Sequence, residues 1–343
     1  PEKFGTVKSI KLVEEIDKQT GQIVLVKAIV EETAERSVVH KGADSLMAPQ
    51  KVASFNQYFS SYNLGQDDAI ILSAYNQESG NGGSDIWIHH NGKMRLTNTS
   101  YDHFSPSFSN DSRFVYFSSY KGKKQLSQYG QDSYIWRTSS SGAGGLTRIG
   151  SPSYAYTDVS ESKSGEFLLF TSYELYGSQP YIWYMRTNGA LPTQLKQGYS
   201  PQWLNYETII FTARDESTDL ETIWTVKTDG SMLTQLIADE NFNCKQPQPS
   251  PNGDLIAYVK ENPKPHKSSV SSTGTSTSKR NLIEETRDVF IYSVRDGLSQ
   301  QVTTNESRDD LPRWSEDGRY LYFRSSRGLD WNIWRIDAER LVN

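Results

Sequence analysis

Along most of this chain apolar and polar residues alternate in short runs, the period-two pattern of strands that bury one face. Six of the runs end in large apolar residues: SDIW (84–87), SYIW (133–136), PYIW (180–183), ETIW (221–224), DVFI (288–291) and WNIW (331–334). Trp87, Trp136, Trp183 and Trp224 follow one another at intervals of 49, 47 and 41 residues, the repeat length of a four-stranded propeller blade. A complete unit reads PSFSNDSRFVYFSS (106–119), SYIW (133–136) and GLTRI (145–149). This gives an inner strand A, a tight hairpin carrying Asn110 and Asp111, strand B, strand C with the Ile-Trp pair, and an outer strand D. The pattern predicts an all-β chain: a β-propeller of six four-stranded blades. Seven is the alternative, because KQTGQIVLVK (18–27) resembles the hairpin SPNGDLIAYVK (250–260) and would serve a degenerate blade.

Neighbouring blades cover both faces of a blade, so both members of each apolar pair can be buried. Trp87, Trp136, Trp183, Trp224 and Trp334 on strands C, with Trp203 and Trp314 on strands A, are therefore expected to be framework. Burying one Trp of about 200 Å² stabilises by roughly 5 kcal/mol before entropy is charged. In the fifth copy Ile291 is read in the Trp place. The last unit has no strand D after WRID (334–337). Residues 1–53, which hold two apolar-rich runs around a Gly turn, are expected to supply it from 6–13 or 23–30, or else to form the degenerate blade, leaving 54–343 as the propeller.

The succession P-x-W-S-x-D-G, an apolar strand ending in F-x-S, an x-I-W strand, then D-G before L-T resembles the repeat of the TolB-like (WD40-like, PD40) propellers. LPRWSEDGRYLYFRSSRGLDWNIWRID (311–337) is nearly an ideal copy, and the resemblance spans roughly 54–337. It implies the fold and no activity, because one fold hosts many functions. TolB itself carries a separate α/β domain before its propeller. Residues 1–53 are too short to be one, so the role of TolB in the Tol-Pal system is not carried over. A periplasmic or extracellular setting is expected, with no leader or anchor read in this chain.

Composition narrows the function. The formal net charge is −5 and the pI about 5.7, so the chain as a whole does not attract nucleic-acid phosphates. Cys244 is the sole cysteine, which rules out an intrachain disulfide or a thiolate cluster. No apolar run reaches the length of a membrane span. His89 and His90 are neighbours on a strand and point to opposite faces, and neither HExxH, CxxC nor G-x-S-x-G occurs. No cofactor or metal is expected.

In an antiparallel blade the D-to-A and B-to-C loops leave on one face, and the A-to-B and C-to-D turns on the other. The turns are uniformly short. The loops are long and varied, and they include an insertion at about 261–287 whose Pro, Ser and Thr content suits a flexible flap. Length gathered on one face marks that face for binding. Its D-to-A loops bring Tyr101, Phe104, Tyr154, Tyr156, Tyr199 and Phe242, with Asp102, Asp158, Asp309 and Asp310 at or beside the acidic position before the Pro. Tyr75, Tyr120 and Tyr173 end three strands B near the same face. Aromatic rings beside carboxylates suit a hydroxyl-rich ligand or a protein partner; the same Asp residues also suit capping turns and tying strands.

The residues are read as a non-enzymatic binding or scaffold propeller for a protein or a glycan, taken as a monomer. The alternative is a polysaccharide lyase or glycoside hydrolase in which Asp102, His103, Asp158 and Asp309 supply acid and base. Lys121, Lys123 and Lys124, with Lys264, Lys267, Lys279 and Arg280, would steer an anionic ligand to this face.

Overall fold

The computed structural model describes residues 7–16, 23–32, 49–53, 55, 58–75, 83–99, 101–120, 133–150, 155–173, 179–263, 287–304, 307–327 and 330–341. The chain divides into two compact units, Pro1–Ala48 and Pro49–Asn343. The first holds an antiparallel hairpin of Val7–Ile16 and Ile23–Glu32, in register from Val7↔Glu32 to Ile16↔Ile23. The runs expected to close the ring thus pair with each other.

The second unit contains six four-stranded antiparallel sheets. From the inner strand outward, blade 1 is Phe59–Leu64, Ile70–Tyr75, Ser84–His89 and Lys93–Arg95; blade 2 is His103–Phe108, Phe114–Ser119, Tyr134–Ser139 and Thr147–Ile149. Blade 3 is Ala155–Glu161, Phe167–Tyr173, Pro180–Arg186 and Thr193–Gln197; blade 4 is Tyr199–Trp203, Thr208–Arg214, Glu221–Lys227 and Thr234–Ile237. Blade 5 is Asn243–Pro249, Leu255–Glu261, Arg287–Ser293 and Ser299–Gln301. Blade 6 is Asp309–Trp314, Tyr320–Ser325 and Asn332–Asp337, completed by Gln50–Ala53 from the start of the unit. Each inner strand contacts the next, and the sixth contacts the first. The result is a six-bladed propeller.

Its closure rests on Gln50–Ala53, which pairs with strand C of blade 6 through Ile333↔Ala53, Trp334↔Lys51 and Arg335↔Gln50. Three of these four residues are exposed and the last is half-buried. An outermost strand carries little apolar pattern, which is why periodicity points instead to the richer runs before it.

The inner hairpins follow from the repeat motif. Ser109, Ser250 and Ser315 each donate a hydroxyl hydrogen bond two residues ahead, to Asp111 (2.7 Å), Asn252 (2.7 Å) and Asp317 (2.6 Å). The same hydroxyls accept the amides of Phe114, Leu255 and Tyr320 at 2.9–3.0 Å as strand B begins. The turn needs a left-handed residue, supplied at no steric cost by Gly318 (φ 72°) and with a side chain present by Ser112 (φ 55°).

The cores lie between blades. Tyr116, Ile135 and Ile149 of blade 2 pack with Tyr156, Val159, Leu168, Phe170 and Met185 of blade 3, and corresponding clusters join other neighbours. In five blades the Ile of the Ile-Trp pair is fully buried. The Trp beside it is half-buried and pairs across to strand B, as in Trp136↔Phe117 and Trp334↔Phe323. Blade 5 corrects the sequence reading: Phe290↔Tyr258 holds the Trp register and Val289 the Ile place, so Ile291 stands one residue beyond. The deciding signal is the aromatic opposite, Tyr258, which needs a ring over it. Among the described residues, no helix is long and apolar enough to cross a membrane.

Candidate functional site

Every inner strand starts at the loop face and descends the central channel. In blades 2–6 its pairing with strand B is interrupted, at Ser105-Pro106, Asp158-Val159, Ser200-Pro201, Gln246-Pro247 and Leu311-Pro312. The first residue of each interruption takes a φ of 49–55°, the bulge that re-aims a strand. Prolines in four of them remove a donor that the ladder does not use there. The turned amides bond across blades instead. Ser105 N–H donates to Ser61 Oγ (3.1 Å), Gln246 N–H to Thr212 Oγ1 (3.2 Å) and Leu311 N–H to Gln246 Oε1 (3.1 Å). The Tyr62 hydroxyl donates to the Leu311 carbonyl at 2.9 Å.

Asp158 belongs to this ring. Its carboxylate takes the backbone N–H of Ser200 in the next blade and the hydroxyls of Thr171 (3.2 Å) and Thr157 (3.3 Å). Burial raises its pKa, opposed by the Thr171 bond and the Arg313 charge.

On the side of blades 4–6 a ladder of alternating charges lines the mouth. The Tyr199 hydroxyl bonds to Glu221, Glu221 lies 3.8 Å from Lys245, and Lys245 pairs with Glu261. Arg287 joins Glu261 (2.8 Å) to Asp310 (3.1 Å), and Arg324 grips Asp310 at 2.7 and 2.8 Å. Arg324 also donates to the carbonyls of Phe59 and Ser60 at 3.0 and 3.2 Å, crossing from blade 6 to blade 1. The ladder is charge-balanced, each acid lying beside a cation. Burial, then the Glu221 charge, drives the Tyr199 pKa far up.

The side of blades 1 and 2 is different. Tyr58, Tyr75 and Tyr101 are 57%, 45% and 37% exposed, and the Tyr58 carbonyl accepts the Tyr75 amide at 3.0 Å. The Phe104 and Tyr120 rings lie tilted against each other, centroids 5.2 Å apart. The Tyr120 hydroxyl has a pKa raised by burial and then by Asp102. Asp102 is exposed and holds the Ser84 amide (2.9 Å) and hydroxyl (3.2 Å). This arc offers rings and a carboxylate to solvent.

The remaining candidates scatter. His103 is fully buried, bonded to Thr99 Oγ1 at 2.7 Å and edge-on to Phe117 at 5.3 Å. Tyr156 is buried against Phe170 at 5.2 Å, which places it in the core rather than at a binding surface. Asp309 is fully buried and takes Arg327 at 2.9 Å; Asp310 belongs to the ladder. Tyr173 is half-buried, its pKa pushed up to about 12 by burial and then by Asp158. Phe242 lies under Lys260, 5.2 Å from its ring. Tyr154, the lysines of 121–124 and residues 264–286 of the insertion lie outside the described residues.

Sequence reasoning missed Tyr58 and the ladder cations Lys245, Arg287 and Arg324. Charge in the loops is what the sequence reading weighs, whereas these three cations stand in strands. An Arg interrupting an apolar run, as in YLYFRSS (320–326), was the available signal, because a buried charge implies a partner.

No model of a known protein family matches the chain. An uncharacterized protein of Agrobacterium fabrum is 33% identical over 69 residues, 20% of this chain and 24% of that protein, so the match spans about a quarter of the relative. Among solved structures, a TolB-type protein of Agrobacterium tumefaciens aligns over 82% of this chain and 91% of its own, with 16% identity and a TM-score of 0.54. TolB of Acinetobacter baumannii aligns over 97% and 79%, with 14% identity and a TM-score of 0.50. The fold is that of the TolB-like propellers. Oligogalacturonate lyase of Vibrio parahaemolyticus aligns over 96% and 97%, with 13% identity and a TM-score of 0.50. The same architecture thus carries both TolB proteins and an enzyme, and activity has to be argued from the site.

Proposed function

We propose that this chain is a binding propeller of the envelope or secreted space that captures a protein or a glycan on its loop face. The observation that carries the reading is the exposed arc of Tyr58, Tyr75 and Tyr101 beside the Asp102 carboxylate on blades 1 and 2. Exposed tyrosines present an apolar face and a hydroxyl at low entropic cost, which suits both a sugar ring and a protein surface. Arg324, bonded to the Tyr58 hydroxyl, couples the arc to the ladder that holds the mouth in shape. The enzymatic alternative would need Asp102, His103, Asp158 and Asp309 at one cleft, and His103 and Asp309 have no exposed surface.

The test is capture from envelope extract and on a glycan array. Replacing Tyr58, Tyr75 and Tyr101 together by Ala should remove capture and leave the melting temperature within about 2 °C, since exposed side chains contribute little to stability. Capture that survives the triple change places the site elsewhere. Release of unsaturated or reducing ends from acidic polysaccharides by the unaltered chain would establish the enzyme instead.

A further inference from the structure

Below the ring of bulges lies a second polar ring that the loop face does not use. It is formed where pairing with strand B resumes, at Ser107, Ser160, Gln202, Gln248 and Arg313. Ser160, Gln202 and Arg313 share a channel cavity of about 110 Å³ with Asn63 of blade 1. That is several times the roughly 10–15 Å³ that one water occupies by the same kind of measure. Two donors of residues that line this cavity, Ser160 Oγ and Arg313 Nε, are buried with no hydrogen-bond partner in the protein. Native interiors leave few such atoms unmatched, and two unmatched donors on one cavity point to an acceptor within it that bonds to them.

Arg313 is the one charged member of the ring. It is half-buried, desolvation lowers its pKa, and it makes no ion pair among the described residues; its Nη1 donates to the Pro312 carbonyl at 2.8 Å, and the Tyr62 ring lies 6.0 Å away. A desolvated guanidinium with donors to spare has the planar fork that matches an oxyanion. We propose that the channel binds a small oxyanion, held by the Arg313 guanidinium with the Ser160 hydroxyl and the Gln202 amide as neutral donors. The cavity admits a carboxylate or a tetrahedral oxyanion of a few atoms and is too small for an oligosaccharide, so this ligand is distinct from the one on the loop face.

The acidic groups that act on Arg313 are Asp158 and Asp310, with the phenol of Tyr62. Asp310 is neutralised by Arg324 and Arg287, and Tyr62 is held neutral by burial. Asp158, faced by Tyr173, Thr171 and Thr157, is the group whose charge opposes an anion. Its burial already favours the protonated form, so anion entry draws a proton onto it and binding tightens as pH falls.

Formate and sulfate are suitable probes, because neither titrates between about pH 5.5 and pH 8. Calorimetric titration of the full chain should give one saturable site for at least one of them, formate identifying a carboxylate site and sulfate a tetrahedral one. Affinity should rise severalfold from about pH 8 to about pH 5.5. Arg313→Gln should weaken binding by tenfold or more. Asp158→Asn should tighten it at pH 8 and abolish its pH dependence, an opposite effect that a folding defect would not produce. Ser160→Ala, which only removes an unpaired hydroxyl, should weaken it a few-fold. No saturation with either probe, or full affinity in a folded Arg313→Gln protein, overturns the proposal.

Discussion

Arg324→Met tests whether the ladder holds the ring together. The substitution keeps the length of the side chain and removes the charge. Asp310, 1% exposed, then loses both short bonds from Arg324 and keeps only Arg287 at 3.1 Å, while the Phe59 and Ser60 carbonyls lose their donor. Removing one partner of a buried ion pair costs about 3–5 kcal/mol, mostly as the penalty of the charge left behind. The loss falls at the seam between blades 6 and 1, where closure otherwise depends on the four residues Gln50–Ala53. Urea denaturation followed by Trp fluorescence should therefore show a loss of about 4 kcal/mol. Trp331, 4.4 Å from the Arg324 guanidinium, gives a local signal. Combining Arg324→Met with Asp310→Leu should recover at least 1–2 kcal/mol relative to the sum of the single changes, since the stranded carboxylate is gone. A single-variant loss below about 1 kcal/mol, or strict additivity in the pair, would refute the reasoning and make the ladder a surface ornament of the mouth.

Three further outcomes follow from the packing and the channel. Phe170→Ala, in the core between blades 2 and 3, should cost about 3–5 kcal/mol in the same assay, and a loss under 1 kcal/mol would mean the blades are not held by that interface. A chain beginning at residue 54 lacks the closing strand and leaves the edge of Asn332–Asp337 unpaired; light scattering should find it associating, while a chain beginning at Pro49 should not, and equal behaviour of the two would reject the closure. Asp158 has a raised pKa in the fold, so between about pH 4 and that raised value the unfolded chain loses its proton first and stability falls as pH rises. Asp158→Asn should flatten this slope in urea midpoints measured from about pH 4 to 7, and an unchanged slope would remove Asp158 as its source.

The repeat was legible because each blade writes the same physical requirement into the chain: a Ser-Asp hairpin, an apolar strand B and an Ile-Trp strand C. Closure of the last blade by a strand from residues 1–53 was legible as well, but not which strand, because Gln50–Ala53 lies on the outer rim, where burial imposes almost no pattern. The shift of Ile291 to Phe290 has a similar cause. Composition favoured the position matching Trp by spacing, whereas cross-strand pairing with Tyr258 fixed it. Among site residues, exposure separated what sequence could not. Tyr101 and Tyr156 look alike in their loops, but one begins outside the sheet and the other lies in strand A facing Phe170. Arg313 and Asp158 escaped as a pair because they are 155 positions apart in number and meet only when the sixth blade closes on the ring.

The division of the mouth decides how a partner would be recognised. On blades 4–6 the three acids Glu221, Glu261 and Asp310 alternate with Lys245, Arg287 and Arg324, so their fields cancel within a few ångströms and project little charge outward. On blades 1 and 2 the exposed rings of Tyr58, Tyr75 and Tyr101 outnumber the one exposed carboxylate of the arc, Asp102, one oxygen of which is bonded to Ser84. Association should then be driven by ring burial rather than by electrostatic steering, which falls steeply with ionic strength when it operates. Capture rates measured at about 0.05 M and about 0.5 M salt should differ by less than roughly threefold. A tenfold or larger drop would show that charge, from the lysines of 121–124 or of the 264–286 segment, guides the encounter, and would move the recognition surface from the tyrosine arc to those loops.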